Sequence, residues 1–257
     1  MRSEAAELAR SVRAIVARHP TADPWRPGIH ASDANPDLER ELAALGWDDL
    51  ADTELREFVG PAAVELGRGL APLSLLDRLL GGAAVAGHLA RYADQGSPLA
   101  DPRTLRRLSA GRLVPIGSTD AIGVVVVEEA SDGGSLAPAR VDAWIAATAG
   151  YLAGLADEAL LVALGHARSR EAFGRPLAAL DAIQQHLAAA ATLAAGTLLI
   201  AETEVTRAGL AHVAEAACRV TAIAQQVVGA LGFTLEFPLQ RYHRRARSAR
   251  VWAEAVL

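Results

Sequence analysis

The chain contains no lysine and only one cysteine, Cys218, among its 257 residues. A single cysteine excludes an internal disulfide and a cysteine-based zinc cluster. Aromatic residues make up only 4% of the chain, whereas hydrophobic residues make up 51% and charged residues 21%, a balance typical of globular proteins. The formal net charge is −5, so no overall basic field indicates nucleic-acid binding.

The sequence signatures of the common catalytic sites are also missing. It contains no GxxxxGK[ST], no HExxH, no G-x-S-x-G and no GxGxxG after a strand. It also lacks the paired Glu-x-x-His motifs of di-iron bundles. For His166, His186 and His212, a helix surface or a satisfied partly buried position is favoured over ligation. We therefore expect no metal site.

Long hydrophobic runs and a leader sequence are not expected either. The apolar run 187–201 is too short and too rich in Ala and Thr to predict a membrane span. The first twenty residues carry charges through their apolar positions, which predicts an amphipathic helix rather than a signal peptide. Together with the single cysteine, these features favour a cytoplasmic protein that does not contact a membrane.

Three regions can be distinguished along the chain. Residues 1–105 show helical spacing of apolar side chains, punctuated by Gly and by Pro61, which we expect in a first helical turn. Residues 106–140 contain the best strand candidate, the β-branched run 124–127. Residues 141–257 are again helical, with three or four long antiparallel helices that predict a bundle. Gly150, Gly154 and Gly165 along the first of these helices indicate close helix packing.

Two corners of the helical regions carry unusual residues. The first is 170–176, REAFGRP, and the second is 225–237, QQVVGALGFTLEF. An ordinary turn between helices explains either corner taken alone. The arginines of the last region could bind an anion, but helical spacing puts them on different faces, which favours a solvated or subunit-facing side over one phosphate clamp. They are Arg241, Arg244, Arg245, Arg247 and Arg250.

Taken in order, the two corners resemble the acyl-CoA dehydrogenase family. That family carries Arg-x-x-Phe-Gly-x-Pro-[Ile/Leu], matched by Arg170 to Leu177. About 50 residues on, it carries Gln-x-x-Gly-Gly-x-Gly-[Phe/Tyr]-x-x-Glu-x-Pro, matched from Gln226 to Pro238. The resemblance implies a mainly α fold with an N-terminal helical domain (1–105), a strongly shortened β segment (106–140) and a C-terminal four-helix bundle (141–257). It also implies FAD, whose adenosine diphosphate end would be contacted across a subunit interface by Arg170, Phe173, Gln226 and Gly229.

The sequence departs from the family in three ways. About 35 residues replace a β domain of roughly 100 that holds the flavin ring and the thioester. The catalytic carboxylate is not matched: one family position aligns with Ala253, one residue before Glu254, and the other falls near Trp144, two residues after Asp142. Asp181 and Ala230 replace a Gln and a Gly of the family motifs.

These departures are selective, because features that reach a neighbour's flavin remain while those of the chain's own site are missing. The resemblance therefore implies the reduced subunit of an α2β2 dehydrogenase of the type found in actinobacterial steroid side-chain breakdown. A full-length partner subunit would hold the acyl-CoA, share the FAD and supply the base. Two alternatives remain open: a self-contained dehydrogenase that uses Glu254 or Glu236 as its base, and a non-enzymatic scaffold.

Overall fold

The computed structural model describes residues 2–20, 35–79, 111–114, 124–127, 138–203 and 205–254. Within these ranges the chain forms eight α-helices and two antiparallel strand pairs. The helices are α1 (Arg2–Arg18), α2 (Pro36–Ala44), α3 (Arg56–Arg68), α4 (Ser74–Arg78), α5 (Pro138–Ser169), α6 (Asp181–Ala201), α7 (Arg207–Val228) and α8 (Leu239–Glu254). The strand pairs are β1 (Gly111–Val114) with β2 (Val124–Val127), and β3 (Glu171–Ala172) with β4 (Arg175–Pro176).

Helix α2 begins and ends at residues suited to those positions. The Asn35 side chain accepts a hydrogen bond from the Leu38 amide at 3.2 Å, and Pro36 occupies the first helical position. Gly46 follows the helix with φ +92°, a left-handed conformation that terminates it without a side-chain clash. Leu38 and Leu42 are fully buried, as their helical spacing predicts.

Helix α3 contradicts one sequence expectation. Pro61 lies inside the helix rather than in its first turn. A proline at this position removes a backbone hydrogen bond. The helix nevertheless continues because Val59 and Ala62, on either side of the proline, are fully buried in the core. Packing has therefore overridden the local preference of the proline.

Helices α5 to α8 form the predicted four-helix bundle. Helix α5 has 32 residues and packs against α6, α7 and α8 as well as against α3 of the N-terminal region. Successive helices of the bundle are joined by short connections and run in opposite directions. Helices α5 and α7 therefore point the same way, and their C-terminal ends lie at the same end of the bundle.

The contact between α3 and α5 depends on glycine. A Cβ atom on Gly67 would lie 2.0 Å from Tyr151 O, and one on Gly154 would lie 2.0 Å from Val64 O. Backbone therefore touches backbone across this crossing, which no larger residue allows. The predicted close packing is confirmed for Gly154 and for Gly150, whose Cβ would lie 2.3 Å from Gly60 O, but a Cβ on Gly165 would have no atom within 4 Å.

Three helical segments are long and apolar enough to cross a membrane by length and composition alone: Pro138–Ser169, Asp181–Ala201 and Arg207–Phe233. The expectation that the run 187–201 is too short is therefore wrong, because the helix that contains it has 21 residues. The three segments differ in burial. In the most apolar stretch of 18 residues, 72% is buried in the first segment, 17% in the second and 50% in the third. Helix α6 is thus apolar in composition but mostly not buried.

The middle region is described only in part. The predicted strand at 124–127 is confirmed as β2, which pairs with β1 so that Val124 lies opposite Val114. The rest of 106–137, and residues 80–105 of the predicted N-terminal domain, lie outside the described residues. The division of the chain near residues 105 and 140 stays a prediction.

Candidate functional site

The corner at 170–176 folds as a two-residue β-hairpin. Strands β3 and β4 pair with each other, and Phe173 and Gly174 form the tip. Both tip residues have positive φ values, 56° and 75°. This combination is that of a type I′ turn, which normally selects Asn-Gly. Phe173 is 93% exposed, so no packing within the described chain offsets the strain of a non-glycine residue in this conformation.

Arg170, at the base of the hairpin, has a fixed backbone and an exposed side chain. Its amide donates to His166 O and its carbonyl accepts from the Leu177 amide, both at 2.8 Å. Its guanidinium has no hydrogen bond or ion pair to any described residue. Partial burial, followed by the positive charge of Arg170, lowers the pKa of His166. The corner therefore presents a permanently charged, forked donor to the outside.

Two adjacent glutamines at the end of α7 have different roles in the second motif. One is buried and holds the turn, and the other is exposed to solvent. Helix α7 ends immediately before Gly229, whose φ is +76°, and a 3₁₀ turn spans Gly229–Phe233. Gln225 is buried, and its Nε2 donates to Gly232 O at 3.3 Å. Gln226 is exposed, with an amide available to a ligand. The family-matched residue is thus the one that faces outwards.

The structure brings the two motifs to one end of the bundle. Each follows the C-terminus of one of the two helices that run in the same direction. The rings of His166, one turn before Arg170, and Phe237 meet edge to face, with centroids 5.8 Å apart. This end also exposes large apolar side chains, namely Phe173, Leu231, Phe233 and Leu235. Such a concentration indicates a surface that contacts another molecule.

The positions considered for a catalytic base lie elsewhere and offer no matched carboxylate. Trp144 is 1% exposed and belongs to the core. Asp142 faces another direction, as predicted, and its Oδ2 lies 3.1 Å from Arg56 Nη1 in an ion pair. Glu236 is exposed in the turn before α8. Glu254 is the last residue of α8, and its side chain lies outside the described atoms.

The arginines of α8 have separate roles. Arg245 is 3% exposed, and its Nη1 donates to Ala71 O at 2.9 Å and to the Tyr151 hydroxyl at 2.8 Å. Arg250 pairs with Glu215 at 2.5 Å on the outer side of α7. A solvated or subunit-facing role is therefore wrong for Arg245, which attaches α8 to α5 and to the segment between α3 and α4. No local pattern in α8 distinguishes it from its neighbours, because its partners lie far away in sequence.

A network of ion pairs between α1, α3 and α5 was not predicted from the sequence. The guanidinium of Arg13 donates to both carboxylate oxygens of Glu65, at 2.7 and 2.8 Å, and Arg68 Nε donates to Asp157 at 2.9 Å. These pairs join α1, α3 and α5. Two cavities, of about 780 and 550 Å³, border the network, and neither is lined by the family-matched residues. The described residues contain no group of three or more His, Cys, Asp or Glu that could hold a metal ion.

Residues 135–253, which contain both corners, match the family model described as acyl-CoA dehydrogenase, C-terminal domain. The resemblance to the acyl-CoA dehydrogenase family is confirmed. The mitochondrial short-chain specific acyl-CoA dehydrogenase of Bos taurus is 35% identical over 111 residues, which is 38% of this chain and 27% of that protein. The aligned part is thus about a quarter of the length of that relative.

The fold extends the likeness to acyl-CoA dehydrogenases over almost the whole chain. A variant of the Tcur3481-Tcur3483 steroid ACAD has a TM-score of 0.67 and 19% identity, and covers 98% of this chain and 94% of that one. The ChsE4-ChsE5 complex from Mycobacterium tuberculosis has a TM-score of 0.65 and 16% identity, over 97% of this chain and 93% of that one. At these identities the likeness shows the fold, and the predicted mainly α, acyl-CoA-dehydrogenase-like architecture is confirmed.

Proposed function

We propose that this chain is a subunit of a cytoplasmic, FAD-dependent acyl-CoA dehydrogenase that completes a partner's flavin site and supplies no catalytic base. The observation that carries the proposal is the hairpin tip, where Phe173 is 93% exposed at φ +56°. A strained backbone and an exposed ring are both costly in an isolated chain. Both costs are offset when the ring packs against another molecule.

The residues at this end of the bundle suit the adenosine diphosphate part of FAD. The free guanidinium of Arg170 would bind the pyrophosphate through charge-assisted hydrogen bonds. Gln226 would bond polar atoms of the adenosine, and the backbone at Gly229 allows a close approach. Asp181 replaces a family Gln near this corner, but it is exposed and begins α6, where a negative charge is favourable.

The described part of α5 supports the assignment of the acyl thioester to the partner subunit. In the N-terminal half of α5, where one family base position falls, Val141 and residues 143–156 are buried, whereas Asp142 is exposed. Backbone contact at Gly67 and Gly154 leaves no room for a ligand along that stretch of the crossing. We therefore assign the thioester pocket and the base to the partner subunit.

The role of this chain in the reaction is then binding and orientation. The chemistry that FAD would supply when bound is that of a hydride acceptor for the acyl β-carbon, with the α-proton taken by a base of the partner subunit. Arg170 and Gln226 would fix the position of the cofactor from its far end. Phe173 would cover its surface and exclude water. Two structures of the same fold are described by paired names, and one of them as a steroid enzyme, which supports a heteromeric assembly and a steroid-type acyl group.

The test is to co-express this chain with a full-length acyl-CoA dehydrogenase subunit from the same genome, and to measure stoichiometry and FAD absorbance. We expect a complex that contains both chains in equal number and that is yellow. Arg170→Gln should lower FAD occupancy by roughly tenfold, because a charge-assisted hydrogen bond to phosphate is lost. Arg175→Gln, an exposed arginine on the same hairpin, is the matched control and should leave the occupancy unchanged.

The outcomes separate the proposal from its alternatives. If the two chains fail to associate, the partner-subunit function is wrong. If this chain alone forms a yellow homotetramer that reduces a dye with an acyl-CoA, it is a self-contained dehydrogenase. If both arginine variants lose FAD equally, the assigned role of Arg170 is wrong.

A further inference from the structure

A groove of about 780 Å³ lies between α1, α3 and the C-terminal end of α6. Helix α1 forms one wall and runs in the same direction as α3, because Arg13 pairs with Glu65 and Val16 lies against Gly69. Helix α6 forms the other wall. The groove lies about 25 Å from the hairpin, because α6 begins beside the hairpin and reaches the groove only with its last turn. The groove is therefore separate from the family-matched corners, and what it binds does not depend on the proposed function.

The middle of the groove is apolar. Small side chains of α1 leave the space open, and aliphatic side chains of α3 and α6 form the rest of the surface. These residues are Ala5, Ala6, Ala9, Pro61, Val64 and Leu198. Leu199 also lines the groove and is 65% exposed. A large apolar side chain exposed in a concave surface favours a ligand with an apolar body.

The end of the groove near the start of α3 offers negative charge and hydrogen-bond acceptors. Glu57 and Glu202 line this end, both are exposed, and neither makes a hydrogen bond or ion pair with the described residues. The neighbouring cation, Arg56, is already paired with Asp142 at 3.1 Å. Pro61 has no N–H group, so the Glu57 carbonyl lacks the donor that a helix normally supplies four residues later. This end therefore suits an ammonium group, which only donates.

The opposite end of the groove is basic. Arg10 lines it, is exposed, and makes no hydrogen bond or ion pair with the described residues. Arg13 donates from Nε and Nη2 to the two carboxylate oxygens of Glu65, at 2.7 and 2.8 Å, and its Nη1 has no partner among the described residues. Glu65 is also paired with Arg68, so its charge is neutralised twice. Arg10 and Arg13 are three residues apart on one face of α1 and together suit a carboxylate.

The length and volume of the groove restrict the size of its occupant. Glu57 and Glu65 mark the two ends on α3, and the eight residues between these positions span about 12 Å of helix. One turn of an α-helix with its side chains fills about 400 Å³, so the groove has room for less than two turns. Small-molecule sites commonly measure about 300–1,000 Å³. The groove therefore favours a small molecule over a docked helix of another chain.

We propose that this groove binds a small zwitterionic amphiphile whose ammonium and carboxylate groups are about 12 Å apart. The ammonium group binds between Glu57 and Glu202. The aliphatic body covers Leu199, and the carboxylate binds Arg10 and Arg13. The charge pattern selects this class of ligand, because a plain fatty acid leaves the two glutamates unpaired and a plain amine leaves the arginine end unpaired.

The test is calorimetric titration of the full chain with 10-aminodecanoic acid. The ten bonds between its charged groups span about 12 Å when extended, at about 3.5 Å per three bonds. We expect saturable one-to-one binding. The double variant Glu57→Gln with Glu202→Gln should weaken it about tenfold or more, because two charge-assisted contacts are lost. Glu54→Gln is the matched control, since Glu54 is an exposed glutamate just before α3 that does not line the groove, and it should leave the affinity unchanged.

Two simpler probes test the charge argument. Decylamine and decanoic acid each lack one charged group of 10-aminodecanoic acid, and each should bind about tenfold more weakly. Arg10→Gln should weaken the binding of 10-aminodecanoic acid and leave that of decylamine unchanged. Equal affinities for all three probes would show that only the apolar body is recognised, which overturns the proposal. No saturable binding of 10-aminodecanoic acid would overturn it as well.

A filled groove tests the location. Ala9→Phe places a ring in the apolar middle of the groove at a half-exposed position, so it should abolish binding and leave the melting temperature unchanged. Unchanged binding in Ala9→Phe would show that the probe binds elsewhere. If Ala9→Phe fails to fold, the charge variants still decide, because they alter only exposed side chains. If Ala9→Phe prevents assembly with the dehydrogenase subunit, and the wild-type complex binds no 10-aminodecanoic acid, the groove is a subunit contact. The ligand site is then wrong while the proposed function stands.

Discussion

Helices α5 and α6 are both long and apolar enough to cross a membrane, yet their surroundings differ. In the most apolar stretch of 18 residues, 72% of α5 is buried inside the protein, whereas only 17% of the corresponding stretch of α6 is buried. Helix α5 gains its cover from α3, which approaches so closely that glycine is required at the crossing. Among the described residues, α6 packs against α5 and α7 and touches α3 near its C-terminal end. The difference teaches that an apolar helix in this chain can be either a core element or a surface that contacts another molecule.

The largest expected effect is a contrast between two leucine truncations. Leu152 on α5 is fully buried, and Leu152→Ala should cost about 3 kcal/mol of unfolding free energy through lost burial and a cavity. Leu199 on α6 is 65% exposed, and Leu199→Ala should cost less than about 0.5 kcal/mol in the isolated chain. Urea unfolding of both variants measures the difference. Equal losses would show that α6 is covered within the isolated chain.

The next effect contrasts two glycines on α5. Gly154→Ala should lower the free energy of unfolding by about 2–3 kcal/mol, because its Cβ would lie 2.0 Å from Val64 O. Gly165→Ala meets nothing within 4 Å and should raise it by about 0.5–1 kcal/mol through helix propensity. Thermal and urea unfolding should therefore show lower stability for Gly154→Ala and higher stability for Gly165→Ala. Two stabilising substitutions would mean that the α3–α5 contact is looser than the structure shows.

A smaller effect is expected at the hairpin that joins the two helices. Phe173→Asn should stabilise the isolated chain by about 1 kcal/mol, because asparagine tolerates positive φ better and suits the type I′ turn. The same variant should lower FAD occupancy of the complex with the partner subunit. Gly174→Ala is the control, and it should destabilise the hairpin by about 1 kcal/mol. If Phe173→Asn leaves FAD occupancy unchanged, the ring does not contact the cofactor.

The smallest effect is a titration shift at the end of α5. Partial burial and Arg170 lower the pKa of His166, because both disfavour the imidazolium form. Arg170→Gln removes the positive neighbour, so the pKa of His166 should rise towards its usual value. NMR titration of the imidazole measures the shift. A pKa that stays the same would mean that the guanidinium points away from this imidazole.

The C-terminal region could be predicted well because its signals are local. The matched corner residues depend on residue types at fixed short spacings, as does the strand at 124–127 in the middle region. The family motif assigned Gln226 to the cofactor, and Gln226 is exposed at the end of α7. The roles of Arg170, Phe173, Gln226 and Gly229 stay predictions until a cofactor is bound.

Contacts between distant segments could not be predicted. Arg245 reads as one of several surface arginines in α8, but it meets Tyr151 and Ala71, which lie 94 and 174 residues away. The pairing of Arg13 with Glu65 joins residues 52 apart. Pro61 was misplaced because burial of its neighbours outweighs the lost hydrogen bond. Each case depends on where the fold brings a second segment.

The sequence by itself determined the helical class, the hairpin corner and the resemblance to the acyl-CoA dehydrogenase family, because helix periodicity, turn chemistry and motif spacing are properties of adjacent residues. The tertiary structure alone decided which apolar helix is a core element and which is a surface. That choice depends on whether another segment approaches within van der Waals contact, and the composition of a single helix does not contain this information. In α5 glycines at the crossing with α3 allow the approach along the helix. In α6 the described segments bury only Ala190, Ala194, Thr197 and Ala201.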